Sequence, residues 1–179
     1  GLFAADGIPD TLWKVLADKS EHDAEFAAAL RIRLVGKTDA EVVQSIMMAC
    51  LGDHLDNLGY QPHKVAVEDQ RAADILMLPL RKEPEYRAVL PGKLFEYLAA
   101  RRPILGIGQK DGAMARIISD VRAGETCGWD DAADMQKFIE KAWQAFLNGV
   151  ACCEGLDIDN YSRQGLARRM AALMESLVK

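Results

Sequence analysis

Pro91-Gly92-Lys93, followed by Glu96, brings together residue types that could hold a phosphorylated ligand. A long polar stretch, Leu80 to Gly92, ends there, and the apolar spacing beyond it predicts a helix through Arg101. The first amides of a helix lack partners within it and, with the helix dipole, attract phosphate. Gly92 has no side chain to hold a diphosphate away, and Lys93 adds a donor and a positive charge. Glu96 lies one helical turn further on, about 6 Å along the axis at ~1.5 Å per residue. Helical side chains tilt back toward the N-terminus, so its carboxylate can sit beside a ligand whose phosphate rests on the first turn. An ionised carboxylate only accepts hydrogen bonds, which suits adjacent ribose hydroxyls. Phosphate at the helix tip and ribose beside it describe a nucleotide. The plain alternative is a Glu that favours the helix dipole after an ordinary Gly-Lys helix start.

Other chemistry-bearing residues say less. His63 opens a helix next to a strand end and reads as a binding or structural residue rather than a catalytic one. Gly106-x-Gly108 lacks the third glycine of a dinucleotide fingerprint and reads as turn glycines. Cys50, Cys127, Cys152 and Cys153 form no C-x-x-C pair, and His22, His54 and His63 show no metal-ligand spacing to them, so no metal is expected. Adjacent cysteines such as Cys152 and Cys153 rarely bridge each other. Reduced thiols and a cytoplasmic location follow as the expectation. Trp13, Trp129 and Trp143 lie in helical or apolar contexts and read as packing, and Arg168-Arg169 as a solvated helix face.

The elements that must position these residues alternate. Helical spacing is expected from Pro9 to about Leu30, with a break around Ser20, then a strand at Arg31–Gly36. Thr38-Asp-Ala-Glu41 has the form of a capping box opening a helix to about Cys50. A short strand is expected over Asp53–Gly59, a helix over Pro62–Ala73, and a strand buried on both faces over Asp74–Pro79. After the charged loop Arg81–Arg87 come the helix from Pro91, a strand at Pro103–Ile107 and a helix at Gly112–Arg122. A short strand at Glu125–Cys127, a helix at Ala132–Asn148 and a last helix at Asp159–Val178 complete the series. This order predicts an α/β fold: a Rossmann-like, doubly wound parallel sheet with helices on both faces. Ligands of such sheets bind beyond the carboxyl ends of the strands. Those ends fall near Gly36-Lys37, Tyr60-Gln61-Pro62-His63, Leu80 to Gly92, and Gly106 to Gly112.

The 179 residues suit one domain spanning 1–179. The chain opens on a loop with no strand before its first helix, whereas a doubly wound domain starts with a strand, so a longer parent chain is expected. A net charge of −5 argues against a general nucleic-acid binder, which needs a basic face. No apolar run approaches the ~20 residues that span a bilayer, so membrane contact is expected only through a parent, if at all.

The segment Pro91-Gly-Lys-Leu-Phe-Glu-Tyr-Leu-Ala-Ala100, with Arg101-Arg-Pro-Ile-Leu105, closely resembles the hallmark of group 1 glycosyltransferases of the GT-B fold. Gly59-Tyr-Gln-Pro-His63, Ala73-Asp-Ile-Leu-Met-Leu-Pro79, Leu34-Val-Gly36 and Gly1-Leu2-Phe3 match their places too, so the resemblance covers essentially the whole chain. It implies the C-terminal of two Rossmann-like domains, the one that binds the nucleotide sugar, with the N-terminal domain and first strand belonging to the parent. By the same resemblance Glu96 holds the ribose, the amides of Gly92, Lys93 and Leu94 meet the diphosphate, and Tyr60-Gln61 lies against the base. The nucleotide sugar is a co-substrate, no cofactor is implied, and the acceptor is open. The closing helix would return toward the N-terminal domain.

The departures are specific. Many members carry a second Glu eight positions before the first, where this chain has Ala88. Many also carry an Arg and a Lys in the loop after the first strand, whereas Gly1-Leu-Phe-Ala-Ala-Asp-Gly7 has no base. Lys37, Arg81, Lys82 and Arg87 are the candidate phosphate contacts in their place, and no catalytic residue is assigned. The chain is read as the donor domain of a glycosyltransferase, inactive in transfer by itself. The competing readings are a nucleotide-binding or protein-interaction module that has lost catalysis, and half of a sugar-nucleotide epimerase.

Overall fold

A computed structural model describes residues 2–150, 153–155 and 157–177. Gly1, Cys152 and the Val178 end of the last expected helix lie outside them. Strand β1 (Leu2–Phe3) leads through a 3-10 turn at Ala5–Gly7 into α1 (Asp10–His22) and α2 (Ala24–Ala29). Then come β2 (Ile32–Val35), β3 (Lys37–Thr38), α3 (Ala40–Met48), β4 (Leu55–Gly59) and α4 (His63–Ala72). Strand β5 (Leu76–Pro79), a 3-10 turn at Pro84–Ala88 and α5 (Gly92–Ala100) follow. The chain continues through β6 (Ile104–Ile107), α6 (Ala113–Asp120), β7 (Gly124–Cys127), α7 (Ala132–Leu147) and α8 (Arg163–Leu177).

Every strand pairing is parallel: β1 with β3, β2 with β4, and β5–β6–β7 in that order. Helices cover both faces. Leu12, Trp13 and Leu16 of α1, Val42 and Ile46 of α3, and Met135 and Phe138 of α7 pack with Ile32 and Leu34 of β2. Across the sheet, Leu94 and Leu98 of α5 and Met114 and Ile118 of α6 pack with Leu78 and Ile104. All of β6 is buried, as a strand flanked by helices on both faces must be. Trp13 donates to Ser45 Oγ at 3.1 Å, and the Trp143 ring meets Phe26 edge-on at 5.3 Å, so both indoles pack as expected.

Local chemistry corrects several expectations. The first helix is interrupted at Asp23, not Ser20, because the Asp23 carboxylate accepts the Phe26 amide at 2.9 Å and caps α2. The capping box at Thr38–Glu41 does not form. Thr38 is held in β3, and Asp39, at the N-cap, turns its carboxylate to the Ala5 amide at 3.2 Å. A short strand, β1, does precede the first helix. The last helix starts at Arg163 rather than Asp159, where Ser162 Oγ accepts the Gly165 amide at 3.0 Å. Its apolar stripe, Leu166, Met170, Leu173, Met174 and Leu177, faces solvent, and Arg168 and Arg169 are exposed as expected.

Candidate functional site

The loops after the strands meet at one end of the sheet, tied together by ion pairs. Arg81, after β5, reaches Asp6, after β1, at 2.7 Å. Arg87 pairs with Asp111 of the loop after β6 at 2.5 Å, and Lys82 lies 3.8 Å from Asp130 after β7. Lys110 donates to Asp131 at 3.0 Å and to Asp134, which holds the Lys110 ammonium well above its usual range. Trp129 clamps the same edge by donating to the Leu80 carbonyl at 3.0 Å.

Helix α5 opens onto this edge. Pro91 occupies its N-cap and makes no side-chain cap. A Cβ added to Gly92 would meet nothing within 4 Å, and Gly92 is exposed, so the space beside that residue is open. The Leu94 amide donates to the Pro91 carbonyl at 3.0 Å, and the Leu94 side chain is fully buried. Leu94 is therefore engaged, and the amides left to meet an anion are those of Gly92 and Lys93.

Glu96 stands one turn along. Its Oε2 accepts from Lys93 Nζ at 2.8 Å and from Gln70 Nε2 of α4 at 3.3 Å, while Oε1 takes no hydrogen bond from the described residues. Burial pushes the carboxyl up, but the Lys93 and Gln70 hydrogen bonds, with the Lys93 and His63 charges, outweigh it and hold the group below its usual value. Glu96 is thus ionised near neutral pH, oriented through one oxygen and open at the other. Beneath it, burial and the Glu96 charge push the Tyr97 hydroxyl up to about 12.

The remaining candidates are spread over this end of the sheet. Tyr60 is 85% exposed, and Gln61 donates to the Leu58 carbonyl at 2.8 Å. No hydrogen bond joins either to Glu96 among the described residues; the link runs through α4, which starts at His63 and carries Gln70. Arg81, Lys82 and Arg87 are all exposed but ion-paired, and exposed Lys37 has no ion pair among the described residues. Sequence reasoning missed Gln70 and the acidic partners Asp6, Asp111 and Asp130. The spacing of Gln70 two helical turns after His63 on α4 was the available signal.

No group of His, Cys, Asp or Glu among the described residues could hold a metal ion, and no described helix is long and apolar enough to cross a membrane.

No protein-family model matches the chain, and no curated protein matches it. Solved structures do. The fold matches the crystal structure of WaaG, a glycosyltransferase involved in lipopolysaccharide biosynthesis, with a TM-score of 0.62 and 17% identity over 82% of this chain and 37% of that one. It also matches Anabaena HepE in complex with UDP, with a TM-score of 0.50 and 17% identity over 88% of this chain and 44% of that one. The chain therefore spans less than half the length of either. Parallel strands flanked by helices, matched to these proteins, make its fold that of a Rossmann-like half of a GT-B architecture.

Proposed function

We propose that this chain is the donor-binding domain of a glycosyltransferase, taking a nucleoside diphosphate sugar at the start of α5. The observation that carries the reading is Glu96, ionised and fixed through Oε2, with Oε1 open beside a helix tip that Gly92 leaves clear. The ribose hydroxyls donate to Oε1, and the diphosphate lies over the Gly92 and Lys93 amides. Anions at a helix N-terminus gain from both the free amides and the dipole. Tyr60 and Gln61 lie at the base end, and Lys37 is the phosphate contact that would break no ion pair. The UDP bound to the Anabaena protein of similar fold supports a uridine or other nucleoside diphosphate as the ligand class.

Sugar transfer would belong to the parent protein. The acceptor would sit largely on a second domain across the cleft, and the exposed apolar stripe of α8 is suited to pack against that domain. The free thiols of Cys50 and Cys127 fit a reducing cytoplasm. A second reading, a nucleotide-binding or protein-interaction module without catalysis, draws on one observation: Arg81, Lys82 and Arg87 are each neutralised by an aspartate. Calorimetric titration with UDP, GDP and ADP, and with the matching nucleosides, tests the proposal. Diphosphates should bind and nucleosides bind far more weakly; no binding by any of them would leave the interaction module as the better account.

A further inference from the structure

His63 and Glu96 sit on two helices that begin side by side. Helix α4 runs into β5, and α5 runs from β5 into β6, which pairs with β5 in parallel. Both helices therefore run back against these strands and start at the same end of the sheet. The Gln70–Glu96 hydrogen bond, 3.3 Å long, fixes their relative level. Glu96 lies four residues after Gly92, about 6 Å below it along the axis at ~1.5 Å per residue. Gln70 lies seven residues after His63, about 10 Å below it by the same rise. His63 therefore stands about 4 Å beyond the start of α5, beside the space that Gly92 and Lys93 open onto. Helical side chains lean toward the N-terminus, which carries the imidazole further the same way.

The side chain is on the correct face. His63, Ala66 and Gln70 recur at i, i+3 and i+7, one face of α4, and Gln70 of that face touches α5. Among the described elements α4 packs chiefly on α5. The His63 charge is one of the causes that hold the Glu96 carboxyl below its usual value, as an imidazole on that side would. His63 is exposed, and no hydrogen bond or ion pair engages it among the described residues. The charged and titratable groups around it are Tyr60 before α4, Lys64 beside it, and Lys93 and Glu96 of α5. Asp69, lower on α4, is taken by Arg33 of β2. Lys93 is already engaged by Glu96 at 2.8 Å, so His63 can supply what Lys93 lacks, a donor without a partner.

We propose that His63 is a further residue of the donor site: as an imidazolium it donates to a diphosphate oxygen lying over the start of α5, so that binding takes up a proton and tightens as pH falls. The inference rests on the donor-binding reading and adds to it a pH dependence that Glu96 does not give. Imidazole is the side chain whose ordinary titration falls near neutrality. Glu96, held below the usual carboxylate value, stays ionised across that range, so its contact with ribose does not change. A bound anion favours the protonated imidazole. The contact is therefore complete below the titration of the free protein and is lost as pH rises through that of the complex.

The test is calorimetric affinity for UDP-glucose at low salt, on wild type, His63→Ala and His63→Lys. Its diphosphate does not titrate between about pH 5.5 and about pH 8.5, the range over which an imidazole does. Wild type should bind about threefold or more tighter at the lower pH, a modest factor because the contact is exposed and screened. His63→Ala should bind at both pH values as weakly as wild type does at the upper one. His63→Lys, always charged, should bind at both as tightly as wild type does at the lower one. Near neutral pH, titrations in two buffers of different ionisation enthalpy should show proton uptake by wild type and none by either variant. Equal affinity of wild type at both pH values, or a pH dependence that survives in His63→Ala, overturns the role of His63 while the donor site stands. No binding by any of the three at either pH removes the donor site and this proposal with it.

Discussion

Lys93 donates to the same oxygen of Glu96, Oε2, that Gln70 of α4 also reaches, at 2.8 and 3.3 Å. Both donors lie on one side of the carboxylate. The result is a group oriented from within the protein but with Oε1 left to a ligand. A surface ion pair of this kind contributes little to stability, because solvent screens it. Its effect is on charge state and direction, which are what a hydroxyl-binding carboxylate needs.

That arrangement predicts how Glu96 titrates. Burial alone would raise the carboxyl, and Lys93 supplies the first of the contacts that bring it down. Lys93→Met should therefore move the NMR titration midpoint of the Glu96 side-chain carboxyl upward from its depressed wild-type value. The sign for stability follows from linkage. A carboxyl depressed on folding contributes stability above its unfolded value, and that contribution disappears as pH falls through the folded value. The acid limb of the wild-type stability profile should be steeper than that of Lys93→Met. An unmoved midpoint would remove Lys93 as the group that holds Glu96.

Gly92→Ala separates folding from binding. The position is helical and a Cβ there meets nothing within 4 Å, so the substitution should leave stability unchanged or raise it by about 0.5–1 kcal/mol. The added methyl stands where the diphosphate approaches, so calorimetric affinity for nucleoside diphosphates should fall. Lower stability with unchanged affinity would place the ligand elsewhere.

Gly124→Ala tests the fold instead. Gly124 enters β7 at φ 156°, and a Cβ there would lie 1.9 Å from the Ile104 carbonyl oxygen. The strands cannot keep their register around that contact. A loss of about 2 kcal/mol or more is expected in urea unfolding, in the range of strained backbone sites.

The thiols should differ sharply. Burial, followed by the nearby Asp134, Asp131 and Glu125 charges, pushes Cys127 up to about 11, whereas Cys50 is exposed. The thiolate is the reactive form. At pH 8 a disulfide reagent should modify Cys50 in the folded chain and reach Cys127 only on unfolding.

Much of the scaffold was readable from sequence because its signals are local. The apolar run Ile104–Ile107 is buried at every position, and the run Asp74–Pro79 does hold a strand, although it begins at Leu76 and is buried at alternate positions rather than on both faces. Glu96 stands one turn from an uncovered glycine because helical geometry alone places it there. What escaped depends on partners distant in the chain. Thr38 joins β3 because Leu2 and Phe3 pair beside it, and that pairing overrides the capping signal of Thr38–Glu41. The ion pairs of the phosphate candidates Arg81 and Arg87 are not legible in the sequence, because Asp6 and Asp111 reach them only through the fold. Gln70 meets Glu96 through the packing of α4 on α5.

The most direct test of the Glu96 assignment is a thermodynamic cycle on one contact. Affinity for a nucleoside diphosphate and for its 2′,3′-dideoxy form is measured calorimetrically on wild type and on Glu96→Gln. A hydrogen bond to a charged acceptor is worth about 1.5–3 kcal/mol, and about 1.4 kcal/mol is a factor of ten in affinity. Glu96→Gln should weaken the ribose form about tenfold or more, and removing the hydroxyls should weaken wild type by a similar factor. Because both changes remove one interaction, their effects should not add, and the mutant should scarcely distinguish the two ligands. Full additivity, or equal affinity of wild type and Glu96→Gln for the ribose form, would contradict the assignment.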